Sequence, residues 1–325
     1  MLRPLAVLPG FLHDWFRYEL EEETIKKPTV AVIGYGWGAH AFINRIDRCK
    51  YDVRVVSTRT QRFNQPSMIG SLVPTYTAPP RWLPIEERSV TSLDEVEADY
   101  KVVAVGSVVN DFRIPGVREN CLFCKEPSDL EVLKARLPNA LGVTVMGAGP
   151  TGIELAYKLQ RLGHRVSILE AGPCILPGFS STFQARVRGD LERKGIRLDL
   201  QKMITGVSVS SISFKGAGTI ANNDLRIWTC GVKPAPLMTG LRVDDRLCVV
   251  GKPRVFAIGD CTGSPPPTAQ NAEQQGRYLA DAFNADFAER PPYKFKELGR
   301  ALDTTDGVFV EMFGIVGWLP YLWSK

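Results

Sequence analysis

The chain has 325 residues, 44% hydrophobic and 23% charged, with 40 Lys and Arg against 35 Asp and Glu for a formal net charge of +5. That is an ordinary globular composition, long enough for about two domains; without a dense Lys/Arg block the modest positive charge argues against a nucleic-acid partner and favours contact with an anionic membrane surface. No run of 18 apolar residues is present to span a bilayer, and seven cysteines, an odd number without a secretory framework, point to a reducing intracellular compartment.

Residues 1–27 read as an added arm. Leu2 to Tyr18 is apolar and aromatic, interrupted by Pro4, Pro9 and Gly10, and the acidic run Glu21–Glu23 fits a mitochondrial presequence poorly. Structure proper begins with Thr29–Ile33, a short β-rich stretch that reads as a buried parallel strand. It runs into Gly34-Tyr35-Gly36-Trp37-Gly38-Ala39, after which Ala39, Phe42, Ile43 and Ile46 mark a helix face. The pattern recurs 113 residues on: Val143–Met146 precedes Gly147-Ala148-Gly149-Pro150-Thr151-Gly152, followed by Leu155, Leu159 and Leu162. Strand, glycine turn and helix form the context in which such a turn binds a dinucleotide. One glycine permits the tight turn, one lets backbone approach the pyrophosphate, and the third position packs helix on strand. Two copies imply two dinucleotides in an α/β fold of two Rossmann-like domains.

The ends of the next strands separate the two sites. In the second copy the strand Arg165–Leu169 ends at Glu170, whose carboxylate suits a free ribose 2′-OH and repels a 2′-phosphate, so NADH is expected there. In the first copy Tyr51–Val56 ends at Ser57, with Arg59 nearby, and a neutral hydroxyl must serve the ribose. A third buried strand, Arg254–Ile258, ends in Gly259-Asp260 before a helix opening at Thr268. An Asp there can accept from ribityl hydroxyls, and the helix beyond it favours negative charge on a reduced flavin. The first nucleotide is therefore read as FAD.

The motif order resembles the type II NADH:quinone oxidoreductases, the alternative NADH dehydrogenases of the pyridine nucleotide-disulfide oxidoreductase superfamily. The segments carrying it are the two glycine turns, Val102–Ser107 with Ile114-Pro115-Gly116, Trp228–Gly231, Ala257–Asp260 and Ala269–Gln274. Trp37 inside the first turn and the Ala-Gln-x-x-x-Gln helix discriminate most. The resemblance implies that Gly34, Gly36, Trp37, Gly38, Ala39, Ser57, Arg59, Gly106, Gly259, Asp260 and Ala269 surround FAD. It implies that Gly147, Gly149, Pro150, Thr151, Gly152, Glu170 and Gly231 surround NADH. Gln270 and Gln274 would border a quinone site, and Glu154 would take part in the quinone half-reaction. It further implies a discontinuous FAD domain (28–116 and 241–295), an inserted NAD domain (117–240) and a short hydrophobic C-terminal segment (296–325). That last segment stands where the family continues into helices for membrane docking and dimerisation. Peripheral attachment to a membrane such as the mitochondrial inner membrane, a larger assembly and a homodimer are the corresponding expectations.

Two other classes stay open on the residues. Cys121-Leu-Phe-Cys124 lies 23 residues before Gly147, as a redox pair would in a thioredoxin-reductase-like disulfide reductase, although Glu170 suits NADH and not NADPH. A metal site is not expected, since no second CxxC or nearby His completes four ligands. A catalytically silent scaffold is the other class, because Ser57 replaces an acid and Thr60–Pro66 is polar where an apolar run is usual beside the flavin ring. The aromatic stretch Val308–Trp323 reads as an interfacial segment, or else as one packed back on the FAD domain or a partner. Gly195–Leu200, Gly206–Ser213 and Thr219-Ile220 read as further strands.

Overall fold

Val30, Ala31, Val32 and Ile33 are almost wholly buried on both faces, which is why this run forms the central strand of a covered parallel sheet. The structure, a computed structural model, describes residues 26–64, 68–69, 72–288 and 291–320. Most of the arm at 1–27, and Tyr321, Leu322 and Trp323 of the aromatic stretch, lie outside the described residues.

Around strand β1 (Thr29–Ile33) the sheet places β2 (Asp52–Ser57) on one side and β6 (Tyr100–Val103) on the other. β5 (Ile85–Glu87) lies beyond β2, and all pairs are parallel. A two-stranded ribbon of β3 (Arg62–Phe63) and β4 (Tyr76–Thr77) sits in the β2–β5 connection. The fifth strand arrives late: β16 (Val255–Ala257) pairs in parallel with β6, Val255 opposite Lys101. Helix α1 (Trp37–Ile43) and the last helix, α6 (Ala269–Asn284), cross in close contact. A Cβ on Gly276 would lie 2.3 Å from the Gly38 carbonyl oxygen, so the helix backbones touch there and only glycine fits. The rings of Phe42 and Phe283 meet edge to face at 5.3 Å, and Arg45 bonds Asp281.

A ribbon of two antiparallel strands, β7 (Ser107–Val109) and β15 (Val232–Pro234), carries the chain into and out of a second unit. After α2 (Val117–Asn120) and α3 (Pro127–Arg136) comes a parallel sheet of order β10 (Arg197–Asp199), β9 (Val166–Leu169), β8 (Val143–Met146) and β14 (Leu225–Trp228). Helices α4 (Pro150–Arg161) and α5 (Ser181–Arg193) pack on it through Leu155, Leu159, Phe183 and Val187. Leu162, expected on the helix face, caps α4 and is exposed.

Two expectations change. Gly206–Ser213 is not one strand: β11 (Ile204–Val207) and β12 (Ser211–Phe214) form a hairpin, extended by β13 (Gly218–Ala221). Its turn, Ser208-Val209-Ser210, has no Gly, Pro, Asn or Asp, and its serines alternate with Val207 and Val209 as strand residues would, so the turn was hidden. It is closed by Ser208 N–H to the Ser211 carbonyl at 2.9 Å. The stretch from Arg300 is likewise a packed antiparallel meander of β17 (Arg300–Asp303), β18 (Gly307–Met312) and β19 (Ile315–Pro320). It packs on the second unit and not on the first. Leu302 and Phe309 are buried in that unit's core, Phe309 edge-on to Phe183, while Phe313, Ile315, Trp318 and Leu319 stay exposed.

Candidate active site

One cleft of about 1430 Å³ runs along both glycine turns. That is more than the roughly 300–1,000 Å³ typical of a site for one drug-sized ligand. In the first turn Gly34 has φ +95°, and an added Cβ would lie 2.6 Å from the Ala104 carbonyl oxygen. Gly36 caps α1 in an extended conformation with no such neighbour nearer than 3.9 Å, leaving its approach open. Gly38 and the fully buried Ala39 do the packing, Gly38 against Ala272 and Ile258. The second turn repeats the division. Gly147 has φ +107°, Gly149 faces open space, and a Cβ on Gly152 would lie 2.0 Å from the Gly147 carbonyl oxygen. Pro150 and Thr151 begin α4 on the cleft wall, and Gly106 and Gly231 line it with positive φ.

Glu170 stands where β9 ends. Its Oε2 accepts the Ala148 N–H and its Oε1 the Gly172 N–H, each at 2.7 Å, so the carboxylate braces the second turn as well as lining the cleft. Ser57 is buried at the corresponding place in the first unit and accepts the Arg59 N–H at 3.1 Å. The Arg59 guanidinium is engaged by Glu126 and lies over the Phe63 ring, so it bridges to the crossing segment. Trp37 lines the cleft beneath the guanidinium of Arg62.

Past β16 the Gly259 N–H donates to Gln275 Oε1 at 2.6 Å, and Asp260 Oδ2 accepts from Ser107 Oγ at 2.7 Å. Ala269 and Gln270 line the cleft. Gln270 accepts the Leu298 N–H and donates to the Gly299 carbonyl, whereas both polar ends of Gln274 are taken by the Lys296 backbone, away from the cleft lining. The buried glutamine of α6 is Gln275. The apolar stripe Ala272, Leu279 and Phe283 phases it inward, a signal that the Ala-Gln-x-x-x-Gln spacing concealed. Lys125, beside Asp260, was also missed, hidden directly behind the CxxC.

Glu154 lies between the cleft and a small polar cavity lined by Tyr157, Lys158, Arg161, Asp303, Thr304 and Thr305. Burial pushes its carboxyl up to about 7, opposed by the Asp303 N–H it accepts. The CxxC behaves otherwise than a redox pair. Cys121 and Cys124 are free thiols in separate apolar clusters, Cys121 against Met146, and burial raises them to about 11 and about 12. A buried neutral thiol is a poor nucleophile.

Two glycine cradles that a Cβ would fill, a carboxylate at one strand end and Asp260 at another, all facing one cleft, define a dinucleotide-handling oxidoreductase. The family model for pyridine nucleotide-disulphide oxidoreductases matches residues 82–276, and the chain belongs to that family. It is similar to the external alternative NADH-ubiquinone oxidoreductase of Yarrowia lipolytica, at 28% identity over 79% of this chain and 59% of that relative. It is also similar to the type II NADH:quinone oxidoreductase Ndh of Mycobacterium tuberculosis, at 24% identity over 93% of this chain and 85% of that one. The chain thus spans about three fifths of the Yarrowia relative's length. Its fold matches that of NDH2 from Plasmodium falciparum, solved in complex with NADH, with a TM-score of 0.78, 19% identity and coverage of 90% and 92%.

Proposed function

We propose that the chain is a type II NADH:quinone oxidoreductase, passing two electrons from NADH through FAD to a quinone without pumping protons. The observation that carries this reading is that both glycine turns open into one cleft with Glu154 on its wall. FAD, when bound, supplies acceptance of the nicotinamide hydride and delivery of its electrons to the quinone. Gly34, Gly36 and Gly38 shape its cradle, with Ser57, Gly106, Gly259, Asp260 and Ala269 around it. Gly147, Gly149, Gly152 and Glu170 hold NADH. Gln270 borders the quinone, while Gln274 fixes the 296–299 segment behind it. Hydride carries one of the two hydrogens a quinol needs, so one proton comes from solvent, and Glu154 is the cleft carboxyl able to hold it near neutral pH.

The domain division at 28–116 with 241–295, and 117–240, belongs to this reading, as do peripheral membrane attachment and a homodimer. Exposed Phe313, Ile315, Trp318 and Leu319 favour attachment at headgroup depth. Among the described residues no helix is long and apolar enough to cross a membrane. The test is an anaerobic titration of flavin-loaded protein with NADH and then a soluble quinone. Flavin absorbance is expected to bleach with the first and return with the second. Protein that takes up no flavin, or whose flavin NADH leaves oxidised, overturns the reading in favour of a silent scaffold.

A further inference from the structure

We propose that Lys125 is a cofactor-holding residue whose ammonium balances the Asp260 carboxylate and the FAD diphosphate from the segment that crosses between the two units. The inference rests on the reading of the first cradle as an FAD site. Among the described residues four cations reach the cleft wall, Arg59, Arg88, Lys125 and Arg300. Arg59 is held by Glu126, Arg88 by Glu86 and Arg300 by Glu297. Lys125 differs in burial: its side chain is 17% exposed against 29–40% for the three arginines. Its Nζ donates to Ser107 Oγ at 2.9 Å, Ser107 donates onward to Asp260 Oδ2 at 2.7 Å, and Nζ to Asp260 Oδ2 is 4.0 Å.

A buried ammonium is costly unless paired, and burial does pull this one below the usual lysine range, against the neighbouring Asp260. One carboxylate 4.0 Å away and one hydroxyl leave donor capacity on the ammonium, and the cleft beside it is where an anionic dinucleotide would lie. Asp260 adds a negative charge to the cleft that would receive an anionic dinucleotide, and the Lys125 ammonium 4.0 Å away offsets it. The position also explains why Lys125 follows a CxxC of unreactive thiols. Buried Cys124 anchors the segment in the core cluster that also holds Phe63 and Leu130, and the next residue lines the cleft.

The test compares wild type with Lys125→Met and Lys125→Arg. Flavin content after dialysis, the dissociation constant for FAD and the flavin midpoint potential are measured, with thermal melts alongside. Lys125→Met is expected to bind FAD about tenfold more weakly or worse, the loss of one charge-assisted contact, and to hold it at a more negative potential. Lys125→Arg should restore most of both. Where Lys125→Met does not fold, the same potential comparison between Lys125→Gln and Lys125→Arg decides. If wild type is yellow and the neutral variant equals it in affinity and potential, the role of Lys125 is overturned alone. If wild type takes up no FAD, the cofactor reading falls and this inference with it.

Discussion

The backbone N–H of Asp303 donates to Glu154 Oε1 at 3.0 Å, so the meander at 300–320 holds a carboxyl that faces both the nucleotide cleft and the polar cavity behind it. Glu154 is raised to about 7 by burial from an ordinary 4.5, so the folded state binds its proton more tightly than the unfolded state does. Its contribution to stability is complete below pH 4.5 and is lost as pH rises toward 7. Denaturant unfolding at several pH values should show wild type losing roughly 2–3 kcal/mol more than Glu154→Gln across that interval. Parallel pH curves would refute the assignment. Turnover of the same variant is expected to fall in the quinone half-reaction and not in flavin reduction by NADH.

Gly149 and Gly152 separate ligand clearance from packing. Alanine at 152 places a Cβ 2.0 Å from the Gly147 carbonyl, and alanine at 149 meets nothing within 4 Å. Gly152→Ala should therefore lower the melting temperature, a loss of about 2 kcal/mol or more. Gly149→Ala should melt as wild type does and bind NADH at least several-fold more weakly. Equal melting of the two variants would contradict the packing assigned to Gly152.

Glu170 uses both carboxylate oxygens on backbone N–H groups. Gln at this position turns an NH₂ toward one of those donors, and the expected cost is about 1–2 kcal/mol in stability. Glu170→Gln should also weaken NADH while narrowing its advantage over NADPH, since the repulsion of a 2′-phosphate goes with the charge. An unchanged ratio of the two dissociation constants would show that the carboxylate braces the turn and nothing more.

Cys121 and Cys124 should react slowly with thiol reagents in the folded protein, and reductant should not change their count. Cys121→Ser should retain near-normal turnover. Loss of flavin-to-acceptor transfer in that variant would revive disulfide chemistry.

Much of the cleft was legible in the sequence because glycine turns are local: strand, turn and helix lie within about fifteen residues, and steric demands at Gly34, Gly147 and Gly152 follow from geometry. Asp260 was legible for the same reason, as a charged residue ending an apolar strand. What escaped depended on long-range partners. Gln274 and Gln275 are neighbours, and which of them faces inward follows from the phase of Ala272, Leu279 and Phe283, the stripe that packs α6 on α1. The partner of Arg59, Glu126, lies 67 residues on and only folding brings it near, and Lys125 drew no attention until Ser107 and Asp260 lay beside it. The packing of the meander at 300–320 on the second unit was not legible, since its aromatic richness is equally that of a membrane surface and of a small sheet with one face covered. Contact with Phe183 shows which core the covered face joins.

The late arrival of β16 has a consequence for biosynthesis. The first sheet cannot be completed, nor α1 covered by α6, until residues 104–254 have emerged and the chain has returned with Val255–Ala257 and Ala269–Asn284. During translation the parallel sheet of the second unit can pair before β16 emerges, although Leu302 and Phe309 reach its core later still, while the earlier half waits with Val102 and Phe42 uncovered. A nascent chain arrested before residue 250 should be protease-sensitive in its first hundred residues, however well its middle has folded.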